Sequence, residues 1–353
     1  MSRSPSATRA RLARRLGLSE RVFAGPASRR LQRVVEDGLV RVEQQMAREL
    51  RTADALADAT TRYLYEAGGK RIRPMLTLLT AQLGEGATAA VIDGATALEL
   101  THLGSLYHDD VMDRADVRRG VPAAHAVWGN SIAILTGDLL FSRASTIMAR
   151  HGAAAMRLQA DTFERLVLGQ MHETVGPAPD EDPVVFYLQV LADKTGSLIA
   201  AAAQTGVLFG NAPAEYREPL REYGEKVGVA FQLMDDVIDL SADADQTGKR
   251  PGADLRAGVP TMPYLLLGQE TDAASKSLRA RIDDGVARIA DGGAVDLLDA
   301  PLTELRGHEA TASTLRRARD WADEAIRALE ALPPGAVREG LTRFAEAVSD
   351  RSS

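Results

Sequence analysis

The chain contains no cysteine, which excludes disulfides, thiolate zinc sites and cysteine nucleophiles. Strand signals are missing too: β-branched alternation is absent, and no segment reads convincingly as a strand. No uninterrupted apolar run approaches the roughly 20 residues that a membrane span needs, so a soluble, cytoplasmic protein is expected. The GxxxxGK[ST] phosphate loop of nucleotide hydrolases is not present. A net charge of −7 argues against general nucleic-acid binding. Residues 1–33 run against that total, with nine arginines facing the single acid Glu20, a net of +8 that leaves −15 elsewhere. This stretch lacks the apolar core and cleavage site of a secretory signal. It reads as a basic, flexible arm with a short helix, or as a segment drawn to an anionic membrane surface.

What the chain does have is helical periodicity. Its 353 residues are 45% hydrophobic, ample for a large core. In LQRVVEDGLVRVEQQMARELR, Leu31, Val34, Val35, Leu39, Val42 and Met46 recur at three- and four-residue steps, one stripe of a 3.6-residue period. Ala- and Leu-rich segments continue the series, broken at GGKRIRP, RRGVP, VGPAPDEDP and the Gly- and Pro-rich stretch after residue 241. None of these breaks resembles an interdomain linker. The expectation is one all-α domain over 34–353, behind the arm of 1–33.

Two stretches stand out against this background. LYHDDVMD places Asp109, Asp110 and Asp113 in an apolar helical run, and LMDDVIDL repeats the arrangement with Asp235, Asp236 and Asp239. Residues four apart share a helix face, so Asp109 pairs with Asp113 and Asp235 with Asp239. Such like charges need cations to stay ionised in a low-dielectric site. An all-oxygen set suits Mg²⁺, which takes a few carboxylates plus substrate phosphates. A capping or solvated acidic face is the alternative. Basic motifs bracket the acids in order: Lys70, Arg71 and Arg73; Arg118 and Arg119; Lys194 with Thr195; Lys249 and Arg250. Arginine forks and lysine charges are the usual diphosphate ligands.

The ordered set GGKRIRP, HLGSLYHDDVMD, RRG, KTGSL, FQLMDDVID and GK resembles the trans-isoprenyl diphosphate synthases, the polyprenyl synthetase family, from about Val34 nearly to the C-terminus. The resemblance implies a large helical bundle around a deep central cavity, usually a homodimer, with three Mg²⁺ ions per active site. It implies that Asp109, Asp113, Asp235 and Asp239, supported by Asp110 and Asp236, serve that metal. Arg118, Lys194, Thr195, Gln232 and Lys249 match allylic-diphosphate contacts. Lys70, Arg73, His102 and Arg119 match the isopentenyl diphosphate site. One departure is visible: Val259 stands where many members carry a lysine, and Arg250 or Arg256 is the available substitute.

The implied reaction is condensation of isopentenyl diphosphate with an allylic diphosphate by ionisation, condensation and elimination. A terpene cyclase would carry an Asn-Ser/Thr-Glu second motif, and a silent subunit of a two-component synthase would be expected to lose acids or basic residues. Peripheral membrane contact is a way to release product. In the family, bulky aromatics four and five positions before the first Asp stop chain growth. Here those positions hold Ser105 and Gly104, so a long product of the quinone side-chain type is expected, with geranylgeranyl diphosphate as the alternative. A floor supplied by Phe141, Met148 or Met171 would leave Gly104 and Ser105 as packing residues only. Tyr107, ~200° around the helix from Asp109, suits a dimer contact, with ordinary core packing as the alternative.

Overall fold

The computed structural model describes residues 22–23, 28–241 and 250–350. Its principal helices are α1 Ser28–Glu49, α2 Ala55–Ala67, α3 Ile72–Thr80, α4 Ala89–Met112, α5 Asn130–Ala149, α6 Ala153–Val175, α7 Pro183–Leu191, α8 Ser197–Phe209, α9 Arg217–Ser241, α10 Ala273–Ala290, α11 Glu309–Ala328 and α12 Ala336–Ser349. Helix starts follow local chemistry. Asp54 accepts from Ala57 N (2.8 Å), Thr88 from Val91 N (3.2 Å), and Asp182 from Val184 N (2.8 Å) with Pro183 in the first turn. Each satisfies a backbone donor that the helix itself leaves unpaired.

The chain forms two compact units, each discontinuous in sequence. One comprises Met1–Leu166, Ser197–Gly224 and Ala328–Phe344; the other comprises Val167–Gly196, Glu225–Arg327 and Ala345–Ser353. Four of the boundaries fall inside α6, α9, α11 and α12, so no linker composition marks them.

In the first unit, α4 is apolar on nearly every side, as a central helix must be. It packs most extensively on α5, and also on α1, α3 and α8. The stripe read in α1 is the buried one, with Leu31, Val35, Leu39, Val42 and Met46 inside, and Val34 only half-buried. Hydroxyls of Thr77 and Thr80 donate to the carbonyls of Ala202 and Ala203 (both 2.9 Å), tying α3 to α8. The second unit has its own core, in which Val229, Leu233, Leu278, Ile282, Leu298, Leu305 and Ala318 are fully enclosed.

Three expectations are corrected here. Helix α1 begins at Ser28, so 28–33 is not arm; Val22 and Phe23 are buried, and the remainder of the arm lies outside the described residues. RRGVP is a hairpin: Val117–Arg118 (β1) pairs antiparallel with Val121–Pro122 (β2). Arg119 and Gly120 both have positive φ, 53° and 79°, the two-residue turn whose twist suits a hairpin. Two-residue strands are too short to show alternation. Finally, α5 and the helical run Pro183–Phe209 are long and apolar enough to cross a membrane. Neither is uninterrupted, since Asp138 and Arg143 break one and Asp193 and Lys194 the other; the second run is mostly buried within the protein.

Candidate active site

In the first unit the acidic motif ends α4. Asp109 is half-buried, Asp110 is fully buried, and Asp113 is the exposed C-cap whose N–H returns to the Asp109 carbonyl (2.8 Å). Arg118, on β1, gives Nε to Asp110 Oδ1 at 2.6 Å. Asp110 Oδ2 is buried and has no partner. Burial pushes the Asp110 carboxyl upward against the opposing charge of Arg118. Arg118, expected on the allylic diphosphate, therefore holds an acid of the motif.

The basic residues of this unit converge. Arg71 caps α3 in the left-handed region, φ 53°, and is clamped between Glu43 and Glu99, the latter at 2.9 Å. Burial works against its charge, but Glu99 and Glu43 outweigh it and hold the guanidinium protonated. Arg71 is thus a structural cation, not a phosphate contact. Arg73 lies in the first turn of α3 with a buried, unpartnered Nε. Arg119 Nη1 donates to the carbonyls of Leu64 (3.1 Å) and Gly68. Burial and the neighbouring arginines push Arg119 down to about 10. His102, on α4, is driven well below its ordinary value by burial and by Arg73, Arg119, Arg71 and Arg118. It is a neutral imidazole beside a group of cations. Lys70 is exposed just before α3.

Farther back on α4, a Cβ at Gly104 would lie 3.1 Å from both the Gly137 carbonyl and the Phe141 ring. Gly104 therefore lets α4 and α5 approach, and Phe141, its ring tilted 51° against that of Phe163 with centroids 4.4 Å apart, fills the space beside it. This is the packing role weighed for Gly104 as the alternative to one in chain length. Ser105, half-buried, donates to the His102 carbonyl at 2.9 Å. For Tyr107 the structure selects core packing over the dimer interface. It is fully buried, donates to Thr60 O and accepts from Leu64 N (3.2 Å). It is a core residue of its own unit and cannot be a dimer contact.

In the second unit, Gln232, Asp235, Asp236 and Asp239 lie on α9. Asp236 Oδ2 accepts from Tyr187 OH (2.9 Å) and Met262 N (3.0 Å), while Oδ1 is buried and unpartnered. Burial pushes its carboxyl up to about 8, against those two donors. The Asp239 oxygens accept from Ala253 N (3.2 Å) and Asp254 N (3.4 Å), anchoring the segment after the undescribed stretch. Lys194 and Thr195 sit on a π-helical turn, Ala192–Gly196, a local expansion that recurs at functional sites. Lys194 pairs with Glu173. Lys249 lies outside the described residues. Arg256 is committed to Pro251 O, Val295 O and Asp299, so it does not replace the ammonium missing at Val259.

Sequence reasoning missed Glu43, Glu99, Glu173 and Tyr187. Only Glu99 carried a local signal, a lone acid in the apolar run ALELTHLG. Among the described residues, no three His, Asp or Glu side chains stand together as a metal cage. The donor chemistry still fits Mg²⁺, which is usually bound by one or two carboxylates with substrate phosphates completing the shell. The bare buried oxygens of Asp110 and Asp236 each call for a positive or hydrogen-bonding partner.

A family model described as polyprenyl synthetase matches residues 54–291. The nonaprenyl diphosphate synthase of Mycobacterium tuberculosis is 48% identical over 253 residues, 71% of this chain and 76% of that protein. The octaprenyl diphosphate synthase of Haemophilus influenzae is 31% identical over 325 residues, 91% and 96% of the two chains. Among solved structures, a geranylgeranyl pyrophosphate synthase from Corynebacterium glutamicum, complexed with calcium and isoprenyl diphosphate, is similar at TM-score 0.79 and 36% identity, covering 93% of this chain and 98% of that one.

Proposed function

The chain belongs to the polyprenyl synthetase family, and from that premise we propose that it condenses isopentenyl diphosphate with an allylic diphosphate to give a long polyprenyl diphosphate. The observation that carries this reading is the group of Arg73, Arg119 and neutral His102 in the same unit as the half-paired Asp110. A group of cations in the same unit as an acid motif suits two diphosphate esters, one bound directly and one through metal. Each acidic motif would hold divalent metal, Mg²⁺ in the cell, by Asp109, Asp110 and Asp113 in one unit and by Asp235 and Asp236 in the other. Asp239 anchors the adjoining backbone.

Bound Mg²⁺ would neutralise the departing diphosphate as the allylic C–O bond breaks. The protein's own residues do the rest. Lys70, Arg73 and Arg119 bind the isopentenyl diphosphate, and His102, uncharged, supplies a hydrogen bond without adding to the repulsion among the arginines. Lys194, Thr195 and Gln232 are proposed contacts of the allylic substrate, with Lys194 exchanging Glu173 for a phosphate oxygen. Holding the double bond of one substrate against the ionising carbon of the other is chiefly a positioning task. The cation left by the new C–C bond loses a proton to the released diphosphate, which restores the alkene.

The relatives named above make products from geranylgeranyl to nonaprenyl length by their names; small Ser105 and the 48% likeness favour the long end. A cytoplasmic homodimer is proposed as well, through the exposed apolar face of α5 at Ile134 and Leu135; a product of that length would need peripheral membrane contact for release. The test is incubation of purified protein with farnesyl diphosphate, excess isopentenyl diphosphate and Mg²⁺, followed by reverse-phase chromatography of dephosphorylated products. Products beyond twenty carbons, abolished by EDTA, are expected. A single peak at fifteen or twenty carbons refutes the long-chain assignment, and elongation in excess EDTA refutes the metal assignment.

A further inference from the structure

The arginine group contains an acid that the proposed reaction does not use. Glu99 sits on α4, three residues before His102, and is 2% exposed. Its Oε1 accepts from Arg71 Nη1 at 2.9 Å, and its Oε2 is buried with no partner. Its charge also acts on Arg73 and Arg119. A buried carboxylate within a site that must take up an anion opposes the ligand electrostatically. Its presence therefore calls for a compensating task.

The matching defect is on α3. Arg73 Nε is buried and unpartnered, a donor without an acceptor on the helix that Arg71 caps. A buried unpaired donor and a buried unpaired acceptor of opposite charge, on neighbouring helices, each cost free energy that one hydrogen bond would recover. We infer that Glu99 is the positioning residue of the isopentenyl diphosphate site: its Oε1 fixes Arg71, and its Oε2 takes Arg73 Nε when substrate binds, turning both Nη groups of Arg73 toward the diphosphate. The inference rests on the functional reading above.

Geometry explains why a carboxylate is used here. A guanidinium held through Nε presents its two terminal nitrogens as a fork, which matches two phosphate oxygens. Without that anchor the fork swings on three methylenes. Glu99 thus trades a general repulsion of anions for orientation of one cation. The trade yields two opposed expectations on removing the charge. If Glu99 only repels, Glu99→Gln tightens isopentenyl diphosphate; if it orients, the same variant weakens it.

The experiment is steady-state kinetics of the full-length chain and its Glu99→Gln variant, varying each substrate in turn, with calorimetric titration of isopentenyl diphosphate in parallel. The expected result is a rise in KM for isopentenyl diphosphate of on the order of tenfold or more, the size of one lost hydrogen bond to a charged group, with the allylic KM within about twofold. In an Arg73→Ala background the same substitution is expected to change KM less than about threefold, since its target is gone. An unchanged or lower KM, equal rises for both substrates, or full additivity with Arg73→Ala overturns the inference. Where Glu99→Gln does not fold, Glu99→Asp, which keeps the charge but shortens its reach, is read by the same criteria. Wild-type protein that fails to elongate any allylic diphosphate overturns the functional reading instead, and calorimetry still compares wild type with Glu99→Gln.

Discussion

Replacing Asp236 by Asn should abolish synthesis yet stabilise the metal-free protein. Asp236 is 1% exposed, and burial pushes its folded-state pKa from the ordinary aspartate value of 3.8 to about 8. Between those values the folded state keeps a proton that the unfolded state has released, so stability falls as pH rises from about 4 to about 8. At pH 7 the shortfall is at most about 4 kcal/mol, at ~1.4 kcal/mol per pH unit. Asn can still accept from Tyr187 OH and Met262 N, but it leaves one amide N–H pair unpartnered where Oδ1 stands, at a cost of about 1–3 kcal/mol. A net gain of roughly 1–3 kcal/mol remains at pH 7–8, and none is left below about pH 4. The assay is urea unfolding in EDTA at pH 5 and pH 8, with and without Asp236→Asn. Mg²⁺ should raise the wild-type midpoint at pH 8 more than the variant's. A variant no more stable than wild type at pH 8, or an identical pH slope for both proteins, refutes the reasoning.

Ser105→Phe should shorten the longest product while sparing the first condensation, read by chromatography. Gly104→Tyr should instead lower the thermal midpoint by driving a side chain into the Gly137 carbonyl and Phe141. Lys70→Ala should chiefly raise KM for isopentenyl diphosphate and Lys194→Ala that for the allylic substrate; steady-state kinetics showing the reverse would exchange the two assignments. His102 stays neutral across pH 6–8, so KM for isopentenyl diphosphate should show no histidine-like inflection near pH 6.5. Because its folded-state pKa lies below the unfolded one, its contribution to stability should be lost as pH falls below about 6.5.

How much of this was readable beforehand divides by distance along the chain. The α1 stripe, Val34 apart, and the helical identity of both Asp motifs are local patterns, and they stand in the structure as read. Glu43 meets Arg71 across 28 residues, Glu173 meets Lys194 across 21, and Tyr187 meets Asp236 across 49. No periodicity within one sequence encodes such meetings. The same blindness explains Tyr107: its helical angle relative to Asp109 was sound, but what lay in that direction was α2, not solvent. Gly104 and Ser105 looked equivalent as small residues, and only the placement of α5 separates them.

Four non-glycine residues among those described have positive φ, and two of them, Arg71 and Arg119, belong to the arginine group, both at 53°. An L side chain at that backbone angle is held against its own preference, at about 1 kcal/mol or more each. Gly or Asn would sit there more comfortably. A laboratory library screened for heat tolerance alone would therefore drift toward those replacements at 119 and discard its guanidinium on the way, whereas at 71 the loss of the cation shared by Glu43 and buried Glu99 outweighs the relieved strain. Improved variants of this enzyme are best sought under selection for turnover at elevated temperature, with these two codons held fixed.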